Sequence, residues 1–109
     1  MDIAFKDEKL RKLCENSQWA LRRLGADCAR KLGNRLSDLE AAENVRELVA
    51  GRPHPLEGDR DGQFALDLAK GSRLVFEPNH DPCPCLETEA IDWSRVTRIR
   101  IVFIGDYHD

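Results

Sequence analysis

The hydrophobic pattern of this 109-residue chain changes its period near Pro53. Before that residue, apolar side chains recur every three or four positions, which is the spacing of amphipathic helices. After it, apolar and polar side chains alternate in short runs, which is typical of half-buried strands. Helices gathered in the first half and strands in the second predict an α+β fold, in which the helices pack on one face of a small, mainly antiparallel, twisted sheet.

The N-terminal half predicts one short strand followed by two helices. The strand is the run DIAF, and the first helix covers about residues 7–16. An apolar stripe from Leu21 to Leu39 predicts a second and longer helix. The segment AAENVRELVAG adds one or two helical turns, which end at Gly51 and Pro53.

The C-terminal half predicts three strands. The run GQFALDLA alternates as a strand does, and AKGS forms the turn of a hairpin that leads into RLVFE. The last run, TRIRIVFIGDY, places Ile99, Ile101 and Phe103 on one face. Residues at about 78–94 contain three prolines and are interpreted as an irregular insertion at a hairpin tip, outside the core. The length predicts a single domain over residues 1–109.

Composition and charge restrict the function classes. The formal net charge is −3, with +2 in residues 1–53 and −5 in residues 54–109, so the chain lacks the basic surplus of a simple nucleic-acid binder. No apolar run approaches the roughly 20 residues of a membrane helix. The N-terminus is charged from its second residue, unlike a signal peptide. We therefore expect a cytoplasmic protein without a membrane partner.

The four cysteines are interpreted as structural. Cys14 and Cys28 occupy apolar helical positions and are expected in the core. Cys83 and Cys85 lie near His80, but a C-x-C pair differs from the usual zinc spacing and no second ligand pair follows. The sequence therefore predicts an irregular loop there, with no metal and no cofactor.

Two histidines and one arginine form a candidate catalytic group. His54 lies in a proline-flanked segment, His108 follows the last strand, and Arg73 opens a strand near the centre of the predicted sheet. Cleavage of a phosphodiester by the neighbouring 2′-hydroxyl needs a base, an acid and a cation that stabilises charge on phosphorus. Histidine suits the proton roles because it titrates near neutrality. Spacing alone also allows ordinary surface histidines, because it does not show that the groups converge.

The order of motifs resembles one known family. The opening IAFKDEKLRKL, the Arg/Leu-rich helix, the block HPLEGDRDGQFALDL, the strand SRLVFE and the terminal DYH together resemble the HigB-like, plasmid maintenance killer branch of the RelE/ParE toxin superfamily. The H-P-L-x-G-D-R-x-G block and the D-Y-H ending are the specific parts. The resemblance implies a RelE-like fold over nearly the whole chain and a toxin of a type II toxin–antitoxin module.

The resemblance also implies an activity and roles for particular residues. Members of the family are ribosome-dependent, metal-independent mRNA endoribonucleases. By position, His54 matches the base or its partner, and Arg73 matches the arginine that stabilises the transition state. His108 matches the acid, and Tyr107 matches a residue that stacks on or orients a base. Asp106 belongs to the same functional C-terminal cluster.

Two further motif positions carry open alternatives. Arg60 matches a family arginine that serves either packing or RNA contact. Glu57 stands where family members commonly have lysine, which moves the site two charge units toward negative. A carboxylate close to a phosphate opposes its binding. Weak cleavage, a Glu57 side chain that points away, and a proton-transfer role for Glu57 all remain open.

The resemblance implies partners and two competing functions. The implied partners are a HigA-like helix-turn-helix antitoxin, the ribosome and mRNA, with operator DNA contacted only through the antitoxin. One alternative is a non-enzymatic, gyrase-directed toxin of the ParE type, which would not need the histidines. The other is a weakly active or degenerate toxin that acts mainly as the binding partner of its antitoxin.

Overall fold

A computed structural model describes residues 1–106; Tyr107, His108 and Asp109 lie outside the described part. The elements are strand β1 (Asp2–Phe5), helices α1 (Glu8–Glu15), α2 (Ser17–Leu24) and α3 (Ala26–Ala41), and strands β2 (His54–Pro55), β3 (Phe64–Asp67), β4 (Arg73–Pro78) and β5 (Arg98–Gly105). Short 3-10 turns occur at Val45–Glu47, Gly58–Arg60 and Trp93–Arg95.

The strands form one sheet in the order β1-β5-β4-β3-β2. The first strand runs parallel to β5, and the other three neighbouring pairs are antiparallel. The predicted α+β class and mainly antiparallel sheet are therefore confirmed. The amine of Met1 donates hydrogen bonds to the carbonyl oxygens of Leu39 (2.9 Å) and Ala42 (2.7 Å), which ties β1 to the end of α3.

The helices pack on one side of the sheet, as predicted. Side chains at alternate positions of the strands meet the apolar stripes of α1 and α3, because successive strand residues point to opposite faces. This buried set comprises Leu10, Cys28, Leu32, Leu39, Phe64, Leu66, Leu74, Phe76, Ile99 and Ile101. Cys14 packs against the same core, and burial raises the pKa of its thiol to about 12.

The predicted long helix from Leu21 to Leu39 is wrong in one respect, because it is two helices. Gly25 separates α2 from α3 with a backbone φ of 84°, a left-handed value that glycine adopts without the steric cost of a Cβ atom. Gly33 stays inside α3 as an ordinary helical residue. The further helical turns predicted before Gly51 are a single 3-10 turn at Val45–Glu47.

A β-bulge in β5 changes which residues share a face. The register pairs Phe76 with Ile101 but Val75 with Phe103, so Val102 is an extra residue in β5. Phe103 therefore lies on the face opposite to Ile101, and the prediction that the two share a face is wrong. Ile104 packs against the helix-side core in its place.

The segment between β4 and β5 contributes to the core, contrary to the interpretation from its composition. Trp93 is buried, and its ring centroid lies 4.8 Å from that of Phe64. Val96 is fully buried nearby. Among residues 1–106, no helix is both long enough and apolar enough to cross a membrane.

Candidate active site

The sheet surface that faces away from the helices, here called the open face because the helices lie on the other side, carries Ala65 and Val75, which are fully buried by their neighbours, and Phe103, which is partly exposed. Ala65 pairs with Val75, and Val75 pairs with Phe103, so the three form a row across β3, β4 and β5. His54 pairs with Ala65 and extends this row onto β2. Because directly paired residues point to the same side of a sheet, the histidine belongs to the open face.

A second row on the open face is charged. Asp67 pairs with Arg73 at the end of the β3–β4 hairpin, and Arg73 pairs with Gly105 on β5. Arg73 Nε lies 3.0 Å from Asp67 Oδ1, and Arg73 Nη1 donates to the carbonyl oxygen of Gly71 at 2.9 Å. Within residues 1–106 the Nε–H group has no directed hydrogen bond, so its contact with Asp67 is an ion pair. The side chain of Arg73 is only 14% exposed, so this cation is held firmly.

The hydrogen bond of His54 shows which nitrogen of its ring carries a proton. His54 Nδ1 lies 2.7 Å from the carbonyl oxygen of Arg52. A carbonyl oxygen only accepts hydrogen bonds, so Nδ1 carries a proton. In the neutral ring the lone pair is then on Nε2, which is the arrangement required of a general base that acts through Nε2.

Asp67 connects Arg73 to residues 51–54, the segment that enters β2 at His54 and is here called the histidine loop. Arg52 Nε donates to Asp67 Oδ2 at 2.9 Å, on the other oxygen from the one that faces Arg73. Partial burial raises the pKa of Asp67, but the hydrogen bond from Arg52 and the positive charges of Arg73, Arg52 and His54 outweigh it. The pKa of Asp67 therefore lies below its ordinary value, and the carboxylate stays ionised.

Arg60 and Glu57 lie at the rim of the open face, in the loop between β2 and β3. The guanidinium of Arg60 stacks over the ring of Phe103 at 4.6 Å, and its Nη1 donates to the amide oxygen of Gln63 at 3.1 Å. The Arg60 side chain therefore packs on the row that contains His54. Glu57 is exposed and borders a hollow that Arg60 and Gln63 also line.

Asp106 directly follows β5 and lies beside the turn between β3 and β4. A Cβ atom placed on Gly71 would be 3.3 Å from Asp106 Oδ2, which puts this carboxylate beside the turn that accepts the Arg73 hydrogen bond. The chain continues from there to Tyr107 and His108, which lie outside the described residues. The structure thus brings His54 and Arg73 to one face, with Arg60 and Glu57 in the loop at its rim and Asp106 beside the β3–β4 turn.

His80 is separate from this group. Its Nε2 accepts hydrogen bonds from the backbone N–H groups of Thr97 (3.1 Å) and Arg98 (3.2 Å), at the opposite end of β5 from Gly105.

Burial and the neighbouring Cys85 raise the pKa of Cys83, which keeps its thiol protonated. Within residues 1–106, no three His, Cys, Asp or Glu side chains are placed to hold a metal ion.

Sequence reasoning missed Asp67, Arg52 and Phe103. A signal for Asp67 was present, because the predicted hairpin over AKGS sets it opposite Arg73 across a turn of fixed length. Phe103 was assigned to the wrong face because a bulge is not visible in the hydrophobic period. The contact of Arg52 depends on a backbone with positive φ, which composition does not predict for arginine.

Solved structures with the same fold are bacterial toxins. A YoeB/ParE toxin from Agrobacterium tumefaciens superposes with a TM-score of 0.61 at 13% identity and covers 99% of this chain and 100% of its own. The YoeB–YefM complex and the YoeB dimer from Staphylococcus aureus each give a TM-score of 0.58 at 15% identity, covering 100% of this chain and 98% of theirs. No protein-family model and no curated protein matches the chain. The likeness establishes a RelE/YoeB-like fold.

Proposed function

We propose that this protein is the toxin of a type II toxin–antitoxin module and a ribosome-dependent, metal-independent mRNA endoribonuclease. The observation that carries the proposal is the open face. There the tautomer of His54 leaves Nε2 as the basic nitrogen, and Arg73 supplies a cation that its ion pair with Asp67 holds in position. The shared fold of the YoeB/ParE toxin supports it. So do the H-P-L-x-G-D-R-x-G and D-Y-H motifs, which contain the proposed base, His54, and the proposed acid, His108.

The proposed reaction is attack of a ribose 2′-hydroxyl on the adjacent phosphorus. His54 Nε2 takes the 2′-hydroxyl proton, and the guanidinium of Arg73 stabilises the charge that builds up on the phosphoryl oxygens. The bond from phosphorus to the 5′-oxygen breaks, and the acid protonates that oxygen. The products are a 2′,3′-cyclic phosphate and a free 5′-hydroxyl. None of these reaction steps needs a metal ion.

The acid and the base-stacking residue are assigned from the motif. His108 is the proposed acid, and Tyr107 is proposed to stack on or orient a nucleobase at the cleavage site. Asp106, beside the β3–β4 turn, is proposed to support both from the preceding position. Arg60 is proposed to serve packing first, since its guanidinium stacks on Phe103, and RNA contact second.

The proposed partners follow from the same function. An antitoxin of the HigA type, with a helix-turn-helix domain, would silence the toxin and carry the complex to operator DNA. One of the similar structures is a YoeB–YefM complex, which gives a precedent for a complex of this fold. The ribosome is a further proposed partner, and the mRNA bound to it is the proposed substrate. A cytoplasmic location is therefore part of the proposal.

A gyrase-directed function is the second candidate, because one structural neighbour is described as a YoeB/ParE toxin. Such a toxin acts by binding and would not need a histidine with a free Nε2. Expression without antitoxin separates the two. An mRNA endonuclease produces truncated messages with ends inside translated reading frames, whereas a gyrase poison produces double-strand DNA breaks.

The test of the proposal is expression of wild-type, His54→Ala and Arg73→Ala proteins without antitoxin. We expect growth arrest and truncated messages with the wild type, and loss of both with either variant. His80→Ala is the matched control, because this histidine contacts the backbone at the far end of β5. Full toxicity of a folded His54→Ala protein would overturn the catalytic assignment, and DNA breaks without truncated messages would favour the gyrase-directed function.

A further inference from the structure

Asp67 has contacts at every polar group it possesses. Its backbone N–H donates to the carbonyl oxygen of Gly51 at 2.6 Å, and its own carbonyl oxygen accepts from Arg35 Nε at 3.3 Å. Oδ2 of the carboxylate accepts from Arg52 Nε at 2.9 Å, and Oδ1 accepts a longer hydrogen bond from Arg52 Nη2 at 3.4 Å and also faces Arg73. A single residue at the end of β3 thus joins the helix layer, the histidine loop and the candidate catalytic arginine.

The loop that Asp67 holds has a strained backbone. Gly51 and Arg52 have φ values of 84° and 49°, and a left-handed arginine costs free energy that its surroundings must offset. The carbonyl oxygen of Arg52 is the group that accepts from His54 Nδ1. The hydrogen bonds between this loop and Asp67, donated by the Asp67 N–H to the Gly51 carbonyl oxygen and by the Arg52 guanidinium to the carboxylate, therefore also define where the His54 ring lies.

The charge of Asp67 allows two guanidinium groups to lie close together. Without a carboxylate between them, the positive charge of Arg52, whose side chain is 65% exposed, would repel that of Arg73, whose side chain is only 14% exposed and is less well screened by water. With it, the three groups carry a net charge of +1, which is suited to a phosphodiester. Both arginines can therefore stay near the open face without an anion bound.

We propose that Asp67 is a positioning residue that holds Arg73 and the loop bearing His54 in their working arrangement. The structural role of Asp67 rests on the contacts described above. Its effect on cleavage rests in addition on the proposed function. Asp67 touches no substrate in this account. It acts through Arg73 and through the Arg52–His54 hydrogen bond, so its removal leaves both catalytic groups present but misplaced.

The first test is the single-turnover rate of cleavage of ribosome-bound mRNA, with toxin in excess so that the rate constant does not depend on the active fraction. Asp67→Asn keeps the shape and the backbone contacts and removes the charge. We expect the rate constant to fall about 10²-fold, the size expected when catalytic groups shift by about 1 Å. Asp27→Asn, which removes an aspartate that pairs with Arg30 on the surface of α3, is the matched control and is expected to retain the wild-type rate.

A double-mutant cycle distinguishes positioning from general damage to the fold. If Asp67 acts through Arg73, Asp67→Asn lowers the rate much less in an Arg73→Ala protein than in the wild type. Full additivity of the two losses would overturn the proposal. Asp67→Glu, which retains the charge and displaces it by one methylene, replaces Asp67→Asn in the cycle if that variant does not fold.

A measurement without RNA keeps the inference separate from the proposed function. The ¹⁵N relaxation of the Arg73 Nε–H group reports how rigidly the guanidinium is held. We expect increased motion in Asp67→Asn and no change in Asp27→Asn. Unchanged relaxation would overturn the positioning role even if the wild type cleaves mRNA, whereas absence of wild-type cleavage with the expected relaxation change would overturn only the proposed function.

Discussion

Asp67 accepts contacts from two arginines, and its carboxylate therefore stays ionised at pH values where an ordinary aspartate begins to take up a proton. A carboxyl group whose pKa is lower in the folded than in the unfolded protein stabilises the fold above its unfolded pKa. That stabilisation is lost as the pH falls through the folded pKa. Acid should therefore weaken the link between the histidine loop and Arg73.

This linkage predicts how the stability of Asp67→Asn compares with that of the wild type. At pH 7 we expect the variant to be less stable, because asparagine lacks the charge that pairs with both arginines. The gap in free energy of unfolding should begin to narrow as the pH falls below the ordinary value of 3.8, because the unfolded chain then takes up the proton, and it should close below the lowered folded pKa, where the native carboxylate is protonated too. Urea unfolding at several pH values measures it, and a gap that is constant with pH would contradict the lowered pKa.

The side chain of Glu57 is exposed, so its negative charge faces solvent near the candidate site instead of being neutralised inside the fold. It lies three residues after His54 and shares a hollow with Arg60. An exposed charge changes interactions at the surface by about 1 kcal/mol or less. The residue is therefore expected to weaken RNA binding without abolishing cleavage.

We predict that Glu57→Lys raises kcat/KM for ribosome-bound mRNA about two- to tenfold, because it removes a charge that repels phosphate and adds one that attracts it. Glu87→Lys, an identical change at an exposed position between β4 and β5, is the control for net charge alone. Equal gains in both variants would show that overall charge is the cause. A gain far above tenfold for Glu57→Lys would favour the interpretation of the natural chain as a degenerate toxin.

Among the elements, the loop before β2 has the strictest local requirement. Gly51 combines a φ of 84° with close neighbours, since a Cβ atom there would lie 2.6 Å from Arg35 Nε and 3.2 Å from the carbonyl oxygen of Asp67. Gly33, inside α3, has neither restriction, and nothing lies within 4 Å of a Cβ atom built on it. The two glycines form a natural pair for comparison.

We predict opposite effects of the same substitution at these two positions. Gly51→Ala should lower the free energy of unfolding by about 1–3 kcal/mol through backbone strain and crowding, and should lower cleavage because His54 follows on the same loop. Gly33→Ala should raise stability by about 0.5–1 kcal/mol, because alanine loses less backbone entropy in a helix. Thermal and urea unfolding measure both, and a neutral Gly51→Ala would refute the account of this loop.

The hydrophobic period correctly predicted the elements whose backbone is regular throughout. β3 and β4 alternate regularly, and their hairpin and faces agreed with expectation. The period failed at Gly25 and at Val102, since a helix break and a bulge each depend on one residue whose backbone departs from the regular pattern. The proline-rich stretch after β4 hid Trp93, because composition indicates irregular backbone but not which side chain turns inward.

The candidate site was predictable in its residue types but not in its contacts. The motifs located His54 and Arg73, and the structure places both on the open face. The tautomer of His54 depends on the backbone oxygen of Arg52, whose position follows from a left-handed residue and an ion pair distant in sequence. Such contacts arise from tertiary structure, which the spacing of residues along the chain does not encode.

For the whole molecule, the net charge of −3 and the RNA-directed function have to be reconciled. The local charge of the open face accounts for part of the difference. Arg52 and Arg73 carry two positive charges, whereas Asp67 between them carries one negative charge. The proposed function also requires an antitoxin that covers the toxin. A small helix-turn-helix protein encoded beside this chain is the expected partner, and co-purification of the two would support the module.

Cleavage of mRNA in the ribosomal A site by purified protein tests the central claim most directly. We predict that the wild type cuts and leaves a 2′,3′-cyclic phosphate, and that a single 2′-deoxy nucleotide at the cut position prevents cleavage. His54→Ala should slow the single-turnover rate by about 10²- to 10⁴-fold, the usual contribution of a general base, while His80→Ala should not. Equal rates for wild type and His54→Ala, or cleavage of the 2′-deoxy substrate, would contradict the account.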